Sequence, residues 1–303
     1  MRSPSPLALA VVLLLAALAA RAQDDPAEEA RYRAYMLQTL PRDAAQRLFS
    51  AAEHPAQLPP QAIGAYGRGC VAGAVQLPLE GPGWLVMRPS RGRSFGHPKL
   101  VAWIEAYAAR AQEDGLPEIL VGDMAQPRGG PMLTGHSSHQ LGLEVDIWLT
   151  QAPADRSLSL DEREDMPSVD MVQPDLLNVF PDRFTPAQLA LLRLAALMPD
   201  VDRIFVNAAI KRAACQEAIE RVWLRKLRPW PGHTHHFHVA LTCPGSDCVA
   251  RNPVPAGDGC GKELERWLRK EVRFPKPEPR PRPPRILRLG DLPRACRSVL
   301  AAP

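Results

Sequence analysis

Two stretches, GHSSHQLGLEVDIWL (residues 135–149) and WPGHTHHFHVALT (residues 230–242), decide how this chain folds. In the first, Leu143, Val145, Ile147 and Leu149 alternate with Glu144, Asp146 and Trp148, the period of a strand with one apolar and one polar face. In the second, residues 236–242 alternate as well, so His236 and His238 leave one face while His235 and Phe237 leave the other. Gly142 permits a sharp change of direction, so that His139 arrives from a turn and Asp146 projects from the strand toward the same point. A carboxylate flanked by Val145 and Ile147 is half buried, and its burial is costly without a cation nearby.

Outward from these strands the pattern alternates between helix and strand. Helical stretches are predicted from Pro26 to about Leu40, from His97 to Gln112, from Thr185 to about Met198 and from Ala208 to about Lys226. In the second of these Leu100, Trp103, Ile104, Tyr107 and Ala111 share a face. The third opens on Thr185-Pro186-Ala187-Gln188, a capping box with Pro at the first helical position. Glu118–Gly122 and Val201–Asn207 read as strands. Residues 53–96, rich in Gly and Pro, read as loops and short strands, and residues 151–182 as a polar insertion. The fold class that follows is α+β: a small antiparallel sheet carrying the histidines, flanked by helices and stapled by disulfides.

Residues 1–22 of the 303 carry the marks of a secretory signal peptide. Arg2 supplies the positive start, Leu7 to Ala20 the apolar run, and Ala20-Arg21-Ala22 the cleavage site, with the cut after Ala22. Loss of Arg2 and Arg21 lowers the formal charge from +4 to about +2, too balanced for a nucleic-acid binder. No later apolar stretch approaches the roughly 20 residues of a membrane span, so no transmembrane anchor is expected after cleavage. A hydrophobic content of 46% excludes a disordered chain. Composition changes after Phe274, which divides the chain into a domain of residues 23–274 and a tail of residues 275–303. The tail opens with PKPEPRPRPP, which packs as neither helix nor sheet and runs extended. Its arginines would attract an acidic polymer or lipid head groups, although a solvated linker is the simpler reading.

Six cysteines in an exported chain point to disulfides. Many pairings are open, with Cys243 and Cys248 forming the easiest local loop. A cysteine zinc site is the competing reading, but no C-x2-C knuckle is present. Because Cys296 lies beyond the proline run, the tail is expected to be tied back to the body, adding little packing of its own.

Of eight histidines, six fall in the two quoted stretches. Neutral imidazole is the commonest protein metal ligand, and two dense clusters need a common cause. Two histidines and a carboxylate, His139, Asp146 and His238, make three protein ligands, the set that leaves a fourth position open in catalytic zinc sites. There is no H-E-x-x-H, so another group must take a proton, and His236 is well placed for it. His233 lies in the turn just before, where it is expected to stabilise an oxyanion.

These residues resemble the zinc pattern of the lysostaphin, D-Ala-D-Ala metallopeptidase and hedgehog-like group. More closely, the chain resembles the penicillin-insensitive murein endopeptidases. That likeness rests on Gly67-Arg68-Gly69-Cys70, Phe95-Gly96-His97-Pro98, Gly122-Asp123-Met124, Gly135-His136-x2-His139-Gln140 and Val145-Asp146-Ile147. It continues through residues 203–207 (RIFVN), 223–226 (WLRK) and 228–230 (RPW). The resemblance implies zinc on His139, Asp146 and His238, with His236 as catalytic histidine and His233 beside it. It implies the disulfides Cys70–Cys296, Cys215–Cys260 and Cys243–Cys248. For a second metal at a subunit contact of a homodimer, His136 and Asp175 match two ligands, but Asn178 stands where the family example has histidine. The implied activity is periplasmic hydrolysis of D-alanyl–meso-diaminopimelyl cross-links between peptidoglycan stem peptides, without a serine for penicillin to acylate. Two alternatives share the metal core: a peptidoglycan carboxypeptidase and a non-catalytic zinc-binding module.

Overall fold

The two alternating stretches lie side by side. In an antiparallel ladder His236 stands opposite Trp148, Phe237 opposite Ile147 and His238 opposite Asp146. The computed structural model describes residues 26–276 and 286–303. The signal-peptide reading of residues 1–22 and most of the proline run lie outside the described residues.

In chain order the elements begin with helices α1 (Pro26–Thr39) and α2 (Ala45–Ser50) and strands β1 (Gln61–Ala65), β2 (Arg68–Ala72), β3 (Val75–Gln76), β4 (Glu80–Gly81), β5 (Trp84–Val86) and β6 (Phe95–Gly96). Helix α3 (Pro98–Glu113), strands β7 (Ile119–Val121) and β8 (Glu144–Trp148) and helices α4 (Leu160–Asp165) and α5 (Pro186–Leu197) follow. Then come β9 (Val201–Val206), α6 (Ala208–Glu217), β10 (Leu227–Pro229), β11 (His236–Leu241), α7 (Lys262–Trp267), α8 (Lys270–Arg273) and α9 (Ala295–Ala301).

The main sheet has seven strands in the order β10-β9-β11-β8-β7-β5-β4. Its centre, β9-β11-β8-β7, is antiparallel as expected. Two pairs are parallel, β10 with β9 and β5 with β7, so the sheet is mixed. A parallel neighbour needs a crossover rather than a hairpin, and α6 and α3 supply the two crossovers. Val145, Ile147, Phe237 and Val239 pack beneath Ile104 and Tyr107 of α3, Leu191 and Leu192 of α5 and Ile210 of α6. The polar face of β8 and β11 is thereby left for Glu144, Asp146, His236 and His238.

The helix starts follow their caps. His97 Nδ1 accepts from Lys99 N–H ahead of α3, and the Thr185/Gln188 box opens α5. Within the polar insertion a second box, Ser159 with Glu162, starts α4, which the periodicity alone does not reveal. The helix expected from Ala208 to Lys226 stops at Glu217, and Val222–Lys226 winds instead as a 3-10 turn. The reason is phase. At 3.6 residues per turn a continued helix would carry Trp223 to roughly the opposite side from Ala214. Both are buried in one core, so the chain breaks, leaving Ile219 99% exposed. Arg221 donates to the Cys215 carbonyl at 2.7 Å and closes the break.

Lys211 of α6 is fully buried, with Nζ donating to the carbonyls of Leu224 (2.5 Å) and Asp258 (2.6 Å). Burial, with the Arg228 charge adding to it, pushes this amine down to about 7. The unfolded chain therefore holds one more proton than the folded one between about pH 7 and pH 10. Stability rises with pH across that window, by ~1 kcal/mol per unit; it is lost as pH falls from about 10 to about 7, and below 7 both states are protonated and the dependence ends. The denaturant midpoint of the native chain, measured relative to that of Lys211→Met so that other titrating groups cancel, should climb from pH 7 through 8 to 9.

The three disulfides are Cys70–Cys296, Cys215–Cys260 and Cys243–Cys248. Residues 286–303 depart from the expectation of a tail with little packing. Leu287, Leu292 and Val299 are buried with Phe49, Ile63 and Cys70 in a second small core. Arg128 Nη1 caps α9 by donating to the carbonyls of Val299, Leu300 and Ala302.

Candidate metal centre and its cleft

His139 enters the site on left-handed backbone, φ 65°, a conformation that costs a non-glycine residue roughly 1–2 kcal/mol. The Glu144 carboxylate holds it there, accepting His139 N–H at 2.6 Å. The reversal that follows needs Gly142, at φ 64°, where a Cβ would come within 2.8 Å of His97 N. The turn delivers the His139 ring, with no exposed surface, against Asp146.

Four imidazoles surround this one carboxylate. His136 Nε2 is 3.3 Å and His139 Nε2 3.6 Å from Asp146 Oδ2. On the other side His238 Nδ1 is 3.0 Å and His236 Nε2 3.7 Å from Oδ1. His136, His139 and Asp146 form a group able to hold a metal ion, with ligand atoms all within 4.8 Å of one another. His238 joins it from β11 through the cross-strand pairing.

A further carboxylate, Glu144, sets the orientation of His238. It accepts from His238 Nε2 at 3.0 Å and from Arg251, whose guanidinium lies 3.5 Å over the Tyr66 ring. With Nε2–H committed to Glu144, His238 presents Nδ1 to Asp146: protonated it forms an ion pair with Oδ1, and on losing that proton it offers a lone pair to a cation. Both ring nitrogens of His139 and Oδ1 of Asp146 are buried without a hydrogen bond. Buried acceptors converging in this way fit a bound cation, and a carboxylate behind a ligating histidine is the usual support of a metal site.

Electrostatics agree. Burial opposes the charge on Asp146 and on Glu144, but the surrounding histidines, with Arg251 at Glu144, hold both carboxyls below their usual range. Burial also opposes a charged His238, yet Glu144 and Asp146 outweigh it and lift the imidazole to about 9. Burial keeps His139 and His236 low despite Asp146.

Asp175 stands outside this group. Its carboxylate accepts from the backbone N–H of Leu177 and Asn178 and from Asn178 Nδ2 at 2.8–3.1 Å. Its expected partner His136 leans instead on Asp146 and, at 3.1 Å, on Asp123. Within one chain the two residues implied for a second metal are therefore not brought together.

The cleft extends to both sides of His136 and His236. One side is lined by Phe205, Trp230, His233 and Arg251, the other by Arg88, Arg91, Arg93, Asp123, Thr134 and Glu29. Asn207 braces the first side, its Nδ2 donating to Gly232 O at 2.9 Å. His233, at φ 53°, donates Nδ1–H to Pro231 O at 2.9 Å, which leaves Nε2 an acceptor. Burial, reinforced by His238, holds His233 at about 4, hence neutral.

Residues 62–301 match the family described as penicillin-insensitive murein endopeptidase. Among proteins bearing that name, the one from Yersinia enterocolitica is 44% identical over 250 residues, 82% of this chain and 88% of its own length. That from Haemophilus influenzae is 43% identical over 249 residues, 80% of this chain and 82% of its own length. The chain belongs to this family. The family range takes in every residue of the candidate centre, and α1 and α2 fall before it.

The structure brings together His139, Asp146, His236, His238 and His233, the residues singled out from the sequence. Sequence reading did not single out Glu144, Asp123, Arg93, Arg91 or Arg251. For Glu144 a signal was present, since it shares the polar face of the strand with Asp146. The arginines carried none, because their partners are distant in sequence.

Proposed function

We propose that this protein is a periplasmic zinc-dependent endopeptidase that hydrolyses D-alanyl–diaminopimelyl cross-links between peptidoglycan stem peptides. The observation that carries the metal is the set of buried acceptors without hydrogen bonds, on His139 and Asp146, facing His238 Nδ1. His139, Asp146 and His238 would hold the ion, with Glu144 and Arg251 supporting them. Zinc, when bound, polarises a carbonyl and makes water a nucleophile near neutral pH.

The remaining chemistry belongs to the chain. His236, kept neutral by burial, takes the proton of the attacking water and passes it to the leaving amine. The proton inventory revises the part of His233. A neutral ring that donates Nδ1–H to Pro231 offers only a lone pair at Nε2, which suits it to accept a substrate N–H. Stabilising an oxyanion would require its second proton. Phe205 and Trp230 wall the open side, where the peptide lies against the rings.

The test is product analysis on defined muropeptides. Cross-linked dimers should convert to monomers, stop converting with chelator and resume on adding zinc. Release of terminal D-alanine from monomers with dimers left intact would replace the endopeptidase by a carboxypeptidase. Turnover indifferent to chelator would remove the metal from the mechanism.

A further inference from the structure

Helix α1 is held in an uncommon way. Among its residues from Ala27 to Thr39, Glu29 alone is buried, while Tyr32, Met36 and Leu37 are half-buried and Tyr35 faces solvent. A helix held by packing buries an apolar stripe; this one buries a carboxylate. Glu29 Oε2 lies 2.5 Å from Arg91 Nε, and Oε1 lies 3.1 Å from Arg93 Nη2 and accepts from Thr134 Oγ1 at 2.7 Å.

The same arginines hold Asp123, at 2.7 Å from Arg93 Nη1 and 3.3 Å from Arg91 Nη1. Asp123 touches His136, and His136 touches Asp146. The seat of Glu29 is therefore separated from the group of His136, His139 and Asp146 only by Asp123 and its ion pairs. Both guanidiniums are shared between Asp123 and Glu29, with Glu164 adding to the field at Arg91, so a carboxylate that takes the place of Glu29 would meet two cationic donors. With Glu29 in place that side of the cleft keeps a cavity of about 30 Å3, against about 380 Å3 on the Trp230 side. The first volume has room for one or two waters and none for a peptide.

We propose that Glu29 is an internal stand-in for a substrate carboxylate, that Arg91 and Arg93 form the subsite which receives that carboxylate, and that α1 withdraws Glu29 before a peptide fills the cleft. The inference rests on the endopeptidase reading above. In a D-alanyl–diaminopimelyl cross-link the carbon bearing the scissile nitrogen also carries a free carboxylate, the group such a seat would take. Exchanging one carboxylate for another keeps both arginines paired, so withdrawal avoids the large penalty of leaving a buried charge alone. The apolar anchorage of α1 is confined to its end, where Met36 and Leu37 pack on Leu40, Ala44 and Leu133, so the turn that carries Glu29 belongs to the segments that open locally at low cost. The helix also lies before the range shared with the family, as an added strap would.

Binding of N-acetyl-D-alanine and of its amide, followed by calorimetry on the metal-loaded protein, tests this without cleavage. Glu29→Gln should bind the acid about ten-fold more tightly than the native chain, because the competent state no longer competes with an internal ligand, and should bind the amide unchanged. Arg91→Gln should erase the preference for the acid. In the native chain the acid should speed hydrogen exchange in α1, and the amide should not. Equal gains for acid and amide in Glu29→Gln, or a preference for the acid that survives Arg91→Gln, would overturn the proposal. Failure of the native enzyme to cleave a cross-linked dimer would sink the endopeptidase reading instead, and is scored in a separate assay.

Discussion

His236→Ala should keep its metal and lose turnover, whereas His238→Ala should lose both. The two side chains leave the same strand face two residues apart, yet their surroundings differ. His238 is fixed from behind by Glu144 and presents Nδ1 to Asp146 at 3.0 Å. Truncating it removes a proposed ligand and leaves Glu144 with Arg251 and the His139 N–H. His236 has no carboxylate behind it, stands 3.7 Å from Asp146 and is neutral through burial, the state a base requires. Loss of a positioned general base costs typically 10²–10⁴-fold in rate. Metal stoichiometry after gel filtration and turnover on a cross-linked muropeptide dimer separate the two roles. A His236 variant that released metal as readily as the His238 variant would refute the division. Near-normal turnover in it would move the base elsewhere, first to the free Nε2 of His233.

The second large effect is on stability. Cys296→Ser opens a link between residues 226 apart in sequence. By the chain-entropy estimate such a loop is worth ~5 kcal/mol, less any strain. The damage should centre on the small core formed by Phe49, Ile63, Leu287, Leu292 and Val299, because Cys70 and Cys296 sit within it. Since that core carries apolar contacts of its own, residues 286–303 should remain associated at low temperature and detach first on heating. Denaturant midpoints, limited proteolysis of residues 286–303 and metal content check this together. Loss of metal in step with detachment would show that the small core and the metal site are coupled. An unchanged midpoint would show that packing alone holds the tail.

What could be read from the chain beforehand follows a physical line. The strand pair and helices α3 and α5 were legible because each writes its burial into a local period and a local cap. The chemistry of β8 and β11 was legible for the same reason, since alternation says which side chains share a face. The parallel strand β10 and the break after Glu217 were hidden. Both answer to where Trp223 and Leu224 must go, a tertiary demand with no local marker. The arginines around Asp123 and Glu29 were hidden likewise, because an ion pair between residues 91 and 29 has no period at all. The tautomer of His233 was hidden as well, because only its contact with the Pro231 carbonyl sets it.

The pairing of His238 with Asp146 across β11 and β8 has a consequence for how the molecule is proofread. A slip of one residue in that ladder would turn every side chain on the strand to the other face. His236 and His238 would then be driven among the helices, and Phe237 would be thrust into the cleft. No chain so misassembled could bring His238 to the group of His136, His139 and Asp146. On the reading proposed above, full metal uptake would then be an audit of strand alignment, and a preparation's metal-to-protein ratio would count the molecules whose central sheet has zipped correctly.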